Sequence, residues 1–556
     1  MPKEMHNCFI EGYVIMKKMK LNFNVDTTIH TALSVMFLLI FVPVLFCIFV
    51  YGNTMNYHDT NKLIALWGNK RLSLFSILIL ILFVVMCVLL KRVQFNRKLS
   101  VITLCSLVVA FVVLYFINEE ICKCIWFKQG WDVDCVVGTA YNLAVGHEIG
   151  DDVYYSMYPN NVPMAFILGR IYQMARNTAG YPYPEDFLWM QTICGLISLA
   201  GMATCVTIKK VTNNVAAVLA GFILFVASIG ISPWKTAPYT DMFALLFPIL
   251  SLCFYVYYYH AGNKVVRYLL FFLCYLAGAV GAMIKPPVLI VLIAVTMLEV
   301  IYAAPKVRTE WKELLIKACM IVVVVLLYKG AQGYIYKDTG YIQNKDISAT
   351  YYHYMLMGLN EDTTGSYYSP DVALIGNYPD PQERLSVQKT MIAERMKEKG
   401  FGGYLNFLLR KTVMTFNDGA FGWGREGNCD LNAYRLLSKG TYSFTLRNIF
   451  WPLHKYSIHF NTYCQIVWLA IIFAVPGICL GRKGTDKRLI NTILLTILGI
   501  TLYLMLFEAR ARYLICFVPV FVLAAAVGII RYYEVVKKVI VRGVSHFRHK
   551  FMLHYQ

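Results

Sequence analysis

Long runs of apolar residues constrain this chain more than any other feature of its sequence. A helix that crosses a membrane needs about 20 consecutive, mostly apolar residues, and the sequence contains twelve runs of that kind. They lie near residues 29–51, 72–90, 99–117, 187–207, 214–232, 240–260, 268–284, 287–304, 314–330, 460–479, 489–507 and 513–530. We therefore predict an all-α polytopic membrane protein with about 12 transmembrane helices.

The overall composition excludes a soluble globule and argues against a nucleic-acid partner. Only 15% of the residues are charged and 58% are hydrophobic, whereas soluble domains are about 25% charged. The net charge of +20 is explained by Lys and Arg in cytoplasmic loops. Most of the 16 cysteines lie inside apolar runs, where they act as small hydrophobic residues. A disulfide is only weakly indicated, and its candidates in polar segments are Cys122, Cys124, Cys135 and Cys429.

The positive charges predict the orientation, because Lys and Arg are enriched in cytoplasmic loops. If the apolar piece at residues 162–175 is a short or re-entrant helix that does not cross, all seven basic clusters fall on one side. The clusters are residues 17–20, 91–98, 209–210, 264–267, 306–312, 482–488 and 531–550. We predict a multi-pass protein of the cell membrane with both termini in the cytoplasm.

This orientation divides the chain into four parts. Residues 1–98 contribute extra N-terminal helices, and residues 99–330 form a transmembrane core whose loop at 118–161 faces outward. Residues 331–455 form an extracytoplasmic domain that we predict to be mixed and irregular, with its clearest helix at 385–399. Residues 456–556 provide the last transmembrane helices and a basic tail.

The outer loop at 118–161 contains the first candidate site, at Asp132 and Asp134. A carboxylate beside a tryptophan at a membrane surface is partly desolvated, which raises its basicity and suits a general base. Trp131 adjoins Asp132, and Gly130 allows a sharp backbone turn before it. These features favour Asp132 as the base. The alternative is that an aspartate caps the helix that follows and Trp131 anchors it at the interface.

Two further candidates lie where apolar runs begin or end on the predicted outer side. Asp241 stands at the mouth of the run 240–260, and an ionisable residue entering the bilayer indicates a functional site unless it caps the helix. Lys285 precedes Pro286 between two apolar runs. It is placed either to meet a phosphate or to extend towards the membrane surface.

The last candidate is the segment at 507–513, between two strongly apolar helices. It contains Glu508, Arg510 and Arg512, although positive charge is disfavoured in outer turns. Arginine binds phosphate oxygens bidentately, so the pair suits a lipid phosphate. An ion pair between Glu508 and one of the arginines is the alternative.

In order and placement these features resemble the GT-C superfamily of membrane glycosyltransferases, close to the bacterial relatives of protein O-mannosyltransferases and of the enzyme that adds aminoarabinose to lipid A. The resemblance covers about residues 99–533. It rests on the outward aspartate, Asp241, Lys285, the late Arg510 and Arg512, and supporting residues. The supporting residues are Tyr158, Asn160, Asn161, Glu508 and Tyr513.

The resemblance implies a transferase that moves a sugar from a polyprenyl-phosphate donor to an acceptor hydroxyl on the extracytoplasmic face. Asp132 or Asp134 would be the base, Asp241 a second acidic site, and Lys285, Arg510 and Arg512 would bind the donor phosphate. The acceptor would be an envelope polymer, a lipid or a protein, and the need for a divalent metal is left open. A lipid-linked sugar transporter or flippase and a polysaccharide polymerase are the alternatives.

Overall fold

The fold is given by a computed structural model, which describes residues 25–52, 65–127, 130–423, 440–480 and 486–553. Within these ranges the chain is helical, and its only β-type contacts are two isolated bridges, Gln94 with Asn214 and Gly150 with Tyr341. The basic residues at 17–20, the disulfide candidate Cys429 and part of the basic cluster 482–488 lie outside the described residues. Cys122, Cys124 and Cys135 are free thiols.

The predicted helical fold class is confirmed. The first ten helices are α1 Val25–Tyr51, α2 Asn69–Leu89, α3 Arg97–Ile125, α4 Trp131–Ala144, α5 Val153–Met157, α6 Val162–Asn177, α7 Asp186–Thr212, α8 Val215–Phe225, α9 Thr240–Ala244 and α10 Leu246–His260. The others are α11 Lys264–Ile284, α12 Leu289–Ala303, α13 Val307–Asp338, α14 Tyr351–Gly358, α15 Ser369–Asn377, α16 Pro381–Phe416, α17 Thr441–Phe450, α18 Ser457–Ala474, α19 Lys487–Leu506 and α20 Val518–Leu553.

Eleven helical segments of the described chain are long and apolar enough to cross a membrane, against the twelve predicted. The exception is the predicted span at 214–232. It forms a shorter apolar helix, Val215–Gly230, whose last turn is a π-helix. The piece at 162–175 lies in the 16-residue α6, which is too short to belong to the candidate spans. This length agrees with the predicted short helix.

The candidate spans differ greatly in how far they are enclosed by protein. The most apolar stretch of Ala511–Val541 is 94% buried, whereas that of Val307–Asp338 is 6% buried. The first segment therefore lies at the centre of the bundle, and α13 lies at its edge. Because lipid tails are as apolar as these side chains, an exposed apolar face is expected of a helix at the edge of a membrane protein.

The predicted extracytoplasmic domain at 331–455 is more regular than we expected. Its described part contains α14, α15, α16 and α17, and no strand occurs in that part. The predicted helix at 385–399 is confirmed, but α16 continues to Phe416 beyond a break at Gly400, where φ is 56°. Glycine adopts this left-handed conformation at little cost, so the second half of the helix takes a new direction.

Candidate functional site

Three of the predicted site residues meet in one buried ion cluster. The Asp241 carboxylate is fully buried. Lys285 Nζ lies 2.6 Å from Asp241 Oδ1, and Arg512 Nη1 donates a hydrogen bond of 2.6 Å to Asp241 Oδ2. Burying a charge is costly unless it is paired, so the two cations explain how this carboxylate is tolerated. We call these three residues the ion trio.

The members of the ion trio come from three separate elements. Asp241 is the second residue of α9, Lys285 follows the last residue of α11, and Arg512 lies in the 3₁₀ helix Ala511–Phe517. Lys285 is extended, with φ of −140° and ψ of 105°, as expected of a residue before a proline. Pro286 therefore ends α11 at the point where Lys285 reaches Asp241.

Tyrosine rings cover the two cations of the ion trio. The Arg512 guanidinium lies 3.9 Å from the centre of the Tyr239 ring, and Lys285 Nζ lies 4.4 Å from the centre of the Tyr513 ring. Such cation–π contacts stabilise a desolvated positive charge. Two cations and one carboxylate leave the ion trio with one net positive charge.

A second group forms around Asp132 on the loop side of the bundle. Tyr154 donates a hydrogen bond of 3.2 Å to Asp132 Oδ1, and Asn161 Nδ2 donates one of 2.7 Å to the Tyr154 hydroxyl. The neighbouring Asn160 is exposed and donates to Asn161 Oδ1 at 3.1 Å. The 3₁₀ turn Pro159–Asn161 packs against α11, the helix that Lys285 follows.

Two carboxylates from distant parts of the chain approach Tyr158. Burial raises the pKa of the Tyr158 phenol, and the charges of Asp132 and Glu508 raise it further. Burial also raises the pKa of Tyr354, and interactions with Tyr158 and Glu508 raise it further. Direct contacts show that α4, the loop after α5, α14 and the turn after α19 converge. The Tyr158 ring lies 5.5 Å from that of Tyr154, the hydrogen-bond partner of Asp132, and Ala349 N, just before α14, donates a hydrogen bond of 3.0 Å to Met157 O. We call Tyr154, Tyr158, Tyr354 and Tyr367 the tyrosine cluster.

Arg510 faces this cluster and is paired with Glu508. Its Nε lies 3.3 Å from Glu508 Oε1, and its guanidinium lies 5.9 Å from the centre of the Tyr367 ring. The Arg510 side chain is 27% exposed, compared with 9% for Arg512 and 10% for Lys285. Arg510 is thus the most accessible of the three cations that the sequence analysis assigned to a donor phosphate. The predicted alternative, an ion pair with Glu508, is also present.

The surroundings of Asp132 differ from those expected from the sequence. Trp131 and Asp132 are both exposed, so the indole does not desolvate the carboxylate, and Tyr154 is its hydrogen-bond partner instead. The sharp backbone turn falls on Trp131, whose φ is 58°, and not on Gly130, whose φ is −102°. A positive φ is unusual for a bulky residue. Asp134 is also exposed.

Lys411 belongs to the candidate site through its contacts and was not identified in the sequence analysis. It is fully buried in α16, and its Nζ donates to three carbonyl oxygens, those of Gly358 at 2.6 Å, Met505 at 3.0 Å and Phe507 at 2.6 Å. Burial lowers the pKa of Lys411 to about 7, against the opposing charge of Glu508. The lysine joins the ends of α14 and α19 and so fixes the turn that carries Glu508 and Arg510. Its position in the largely apolar stretch at 405–416 was the available signal.

Two glycines allow the loop after α14 to lie against this turn. A Cβ on Gly358 would come within 2.7 Å of the Phe507 carbonyl carbon, and one on Gly365 within 2.7 Å of Lys411 Cε. Gly365 also has a φ of 78°, and its carbonyl accepts a hydrogen bond of 2.9 Å from Ala509 N. Only glycine fits such a close approach without strain.

No metal site is evident among the residues that the structure describes. Within them, no group of three or more His, Cys, Asp or Glu side chains is arranged to hold a metal ion. Asp132 and Glu508 do not fit a dedicated metal centre, because each is already engaged, by Tyr154 and Arg510 respectively.

The fold and the buried ion trio define a polytopic, all-α integral membrane protein. Residues 25–531 match a family described as conserved hypothetical integral membrane protein, and the chain belongs to that family. No curated protein and no solved structure matches the chain.

Proposed function

We propose that the protein is a membrane glycosyltransferase. It transfers a sugar from a polyprenyl-phosphate donor to an acceptor hydroxyl on the extracytoplasmic face, in the modification of a cell-envelope glycan. The acceptor is an envelope polymer, a lipid or a protein. The site that supports this function is the tyrosine cluster with Asp132 on one side and Arg510 on the other.

The observation that carries the proposal is the convergence of Asp132 and the Glu508–Arg510 pair on Tyr158. The Tyr158 ring lies 5.5 Å from that of Tyr154, which donates a hydrogen bond to Asp132. The charges of Asp132 and Glu508 both raise the pKa of the Tyr158 phenol, although these carboxylates lie more than 370 positions apart in the sequence. Displacement of a prenyl phosphate from the anomeric carbon of a sugar needs two groups. One accepts the proton of the attacking hydroxyl, and the other, here an accessible guanidinium, stabilises the departing phosphate. Aromatic side chains supply large, rigid contact surfaces at low entropic cost, which suits a sugar between the two groups.

In the proposed reaction, Asp132 accepts the proton of the acceptor hydroxyl while that oxygen bonds to the anomeric carbon. The bond from the anomeric carbon to the donor phosphate oxygen breaks, and the electron pair leaves with the prenyl phosphate. Arg510 stabilises the charge that grows on this leaving group. A single displacement inverts the anomeric carbon. The leaving phosphate is a stable anion, so no second acid is required.

The ion trio has a supporting role in this proposal. Lys285 and Arg512 were expected to bind the donor phosphate directly, and Asp241 was expected to act as a second acidic site. Since these three side chains neutralise one another in part and are almost fully buried, their remaining positive charge acts on the donor phosphate through the electrostatic field. In a low-dielectric interior such a charge is screened weakly.

Two alternatives keep the same donor lipid. A lipid-linked sugar transporter or flippase would have ionisable groups near the middle of the membrane and paired halves, whereas here the marked residues cluster at one end of the bundle. A polysaccharide polymerase would share the site but repeat the transfer. Neither alternative is favoured by a separate observation.

The test is product analysis with purified protein in liposomes that contain a radiolabelled prenyl-phosphate sugar and extracted envelope acceptors. A transferase yields an acceptor heavier by one sugar, and a polymerase yields a ladder of products. Movement of label to the other leaflet without a new covalent product would identify a transporter and overturn the proposal. Asp132→Asn protein serves as the matched control.

A further inference from the structure

A two-lobed polar cavity lies at the opposite end of α11 from the ion trio. Its first lobe, of about 410 Å³, is lined by Arg267, Lys317 and Arg488 together with Tyr258 and Tyr259. Because α11 contains 21 residues and a helix rises 1.5 Å per residue, its two ends are about 30 Å apart. The cavity is therefore separate from the proposed glycosyltransferase site, and the inference does not rest on that function.

A buried carboxylate holds the cations of the first lobe in place. Glu299 accepts a hydrogen bond of 3.1 Å from Lys317 Nζ, pairs with Arg488 and accepts one of 2.9 Å from the Tyr255 hydroxyl. Nearer the opening, Glu313 pairs with Lys317 at 2.9 Å and with Arg267 at 3.2 Å. Such a network fixes the cations before any ligand arrives, which lowers the entropic cost of binding.

The second lobe combines basic and apolar side chains. It has a volume of about 430 Å³ and shares Arg267, Glu310 and Glu313 with the first lobe. It is lined also by Lys264, Lys312, Trp311 and Ile316. Trp311 is 53% exposed, and Ile316 is exposed as well. Tryptophan with one apolar and one polar edge is typical of the membrane interface. The lobe is thus suited to the boundary between a lipid headgroup and its acyl chains.

The charge balance of the cavity favours an anionic ligand. Five cationic side chains and two carboxylates, Glu310 and Glu313, line the two lobes, with Glu299 behind them. Four of the cations come from three of the basic clusters in the sequence, at 264–267, 306–312 and 482–488, and the fifth, Lys317, lies one turn further along α13. Arginine is well suited to phosphate because its planar fork binds two oxygens at once. Basic pockets between transmembrane helices are known to bind anionic lipid headgroups.

We infer that this cavity binds the phosphate group of an anionic phospholipid. Arg267 stands where the lobes meet and contacts the phosphate, with Lys317 and Arg488 deeper in the first lobe. Trp311 and Ile316 contact the start of the acyl chains. The Arg267 side chain is 37% exposed and therefore reachable by lipid.

Native mass spectrometry of the full-length protein in a neutral detergent tests this inference, with titrations of phosphatidylglycerol, phosphatidylcholine and inorganic phosphate. We expect phosphatidylglycerol to bind at least about tenfold more tightly than phosphatidylcholine, and Arg267→Gln to lower that affinity about tenfold. Lys264→Gln should lower it as well. Lys209→Gln is the matched control, because Lys209 belongs to another basic cluster outside both lobes, and it should change affinity by less than about twofold.

Equal binding of the two lipids would overturn the inference, and so would unchanged affinity in both Arg267→Gln and Lys264→Gln. The titration with inorganic phosphate shows whether the bound phosphate group comes from a lipid headgroup or from free phosphate. If millimolar phosphate occupies the site and phosphatidylglycerol does not displace it, the ligand is a free phosphate and the lipid assignment is wrong. Displacement of phosphate by phosphatidylglycerol supports it.

Discussion

Asp132 is the residue on which proposed catalysis depends most directly. Asp132→Asn keeps the shape of the side chain and removes the proton acceptor, so turnover of a labelled prenyl-phosphate sugar should fall by about 10² to 10⁴. Binding of the donor should be unchanged, because Arg510 is untouched. The control is Asp134→Asn, for which we expect a far smaller effect. Collapse of turnover in Asp134→Asn, with near-normal turnover in Asp132→Asn, would reverse the assignment.

Arg510 is predicted to contact the donor phosphate. Arg510→Ala should weaken donor binding by about 1.5–3 kcal/mol, the usual worth of a hydrogen bond to a charged group. Arg510→Lys should restore only part of the loss, since lysine lacks the bidentate fork. Isothermal titration calorimetry with a short-chain prenyl phosphate measures the donor affinity of both variants.

The competing role of Arg510 is the ion pair with Glu508. If that pair is its whole function, Arg510→Ala and Glu508→Gln will lower the melting temperature by similar amounts and leave donor affinity intact. That result would contradict the phosphate role and retain the structural one.

Among the elements, the turn between α19 and the 3₁₀ helix Ala511–Phe517 depends on a single lysine. Lys411→Met leaves the carbonyls of Gly358, Met505 and Phe507 without this donor, and each unsatisfied buried group costs about 1–3 kcal/mol. We expect a clear drop in melting temperature together with loss of turnover, because Glu508 and Arg510 lose their fixed position.

Lys399→Met in the same helix is the control for Lys411→Met. Lys399 pairs with Glu361 at 2.7 Å, and its own side chain is 10% exposed whereas that of Glu361 is 49% exposed. An ion pair with one partner open to solvent is worth about 0–1 kcal/mol. Melting curves in detergent should therefore separate the two variants. Equal shifts would mean that the three carbonyl contacts of Lys411 do not hold the turn.

Helix α14 contains a buried histidine, His353, from which we predict a pH dependence of the stability of this region. Burial lowers the pKa of His353 from 6.5 to about 4, with Asp371 opposing the shift and Arg384 adding to it. Both ring nitrogens lack a hydrogen-bond partner among the described residues. The unfolded chain therefore binds a proton more readily than the folded one, and stability falls as the pH drops from 6.5 towards 4.

The loss through His353 should reach about 3 kcal/mol at pH values below 4. Thermal unfolding between pH 7.5 and 4 should show a steeper decline in the native protein than in His353→Gln, which cannot titrate in this range. Parallel pH profiles would show that His353 is not the group responsible.

At the scale of the whole molecule, the orientation in the membrane remains a prediction from the basic clusters. We expect the exposed Asp362 to face outward and Lys537, in α20, to face the cytoplasm. An impermeant maleimide should then label Asp362→Cys in intact cells and Lys537→Cys only after permeabilisation. The native cysteines are first changed to serine, including Cys105, Cys135 and Cys319, which are exposed among the described residues, and Cys8 and Cys429, which lie outside them. The opposite labelling pattern would invert the topology and place the tyrosine cluster inside.

The division of the chain at residues 98, 330 and 455 also stays a prediction. The N-terminal helices are nevertheless tied into the rest of the bundle by buried side chains. Asn69 in α2 hydrogen-bonds to Asn417, and Gln465 Nε2 in α18 donates to both asparagines at 3.2 Å. Such a buried polar network ties its members to one arrangement. The extra helices are therefore part of the folded unit and not a loose appendage.

The sequence alone determined the helical fold and nearly all of the membrane spans. A run of about 20 apolar residues is a local signal, because every backbone group in the bilayer has to be satisfied within its own segment. Among the described residues, the one predicted run that forms a shorter apolar helix is Val215–Gly230, whose last turn is a π-helix. Candidate site residues such as Asp241 and Lys285 were also identified from local sequence, since a charge at the end of an apolar run is costly.

Only the tertiary structure decided which of these residues meet. Asp241 and Arg512 are 271 positions apart, and no local sequence pattern predicts that they form an ion pair. The same holds for Lys411, whose acceptors belong to α14, to α19 and to the turn after α19. It holds also for the basic cavity, whose cations come from three helices, α11, α13 and α19. Partners of buried charges are selected by the packing of whole helices, because each charge must find its counterion wherever the fold places one.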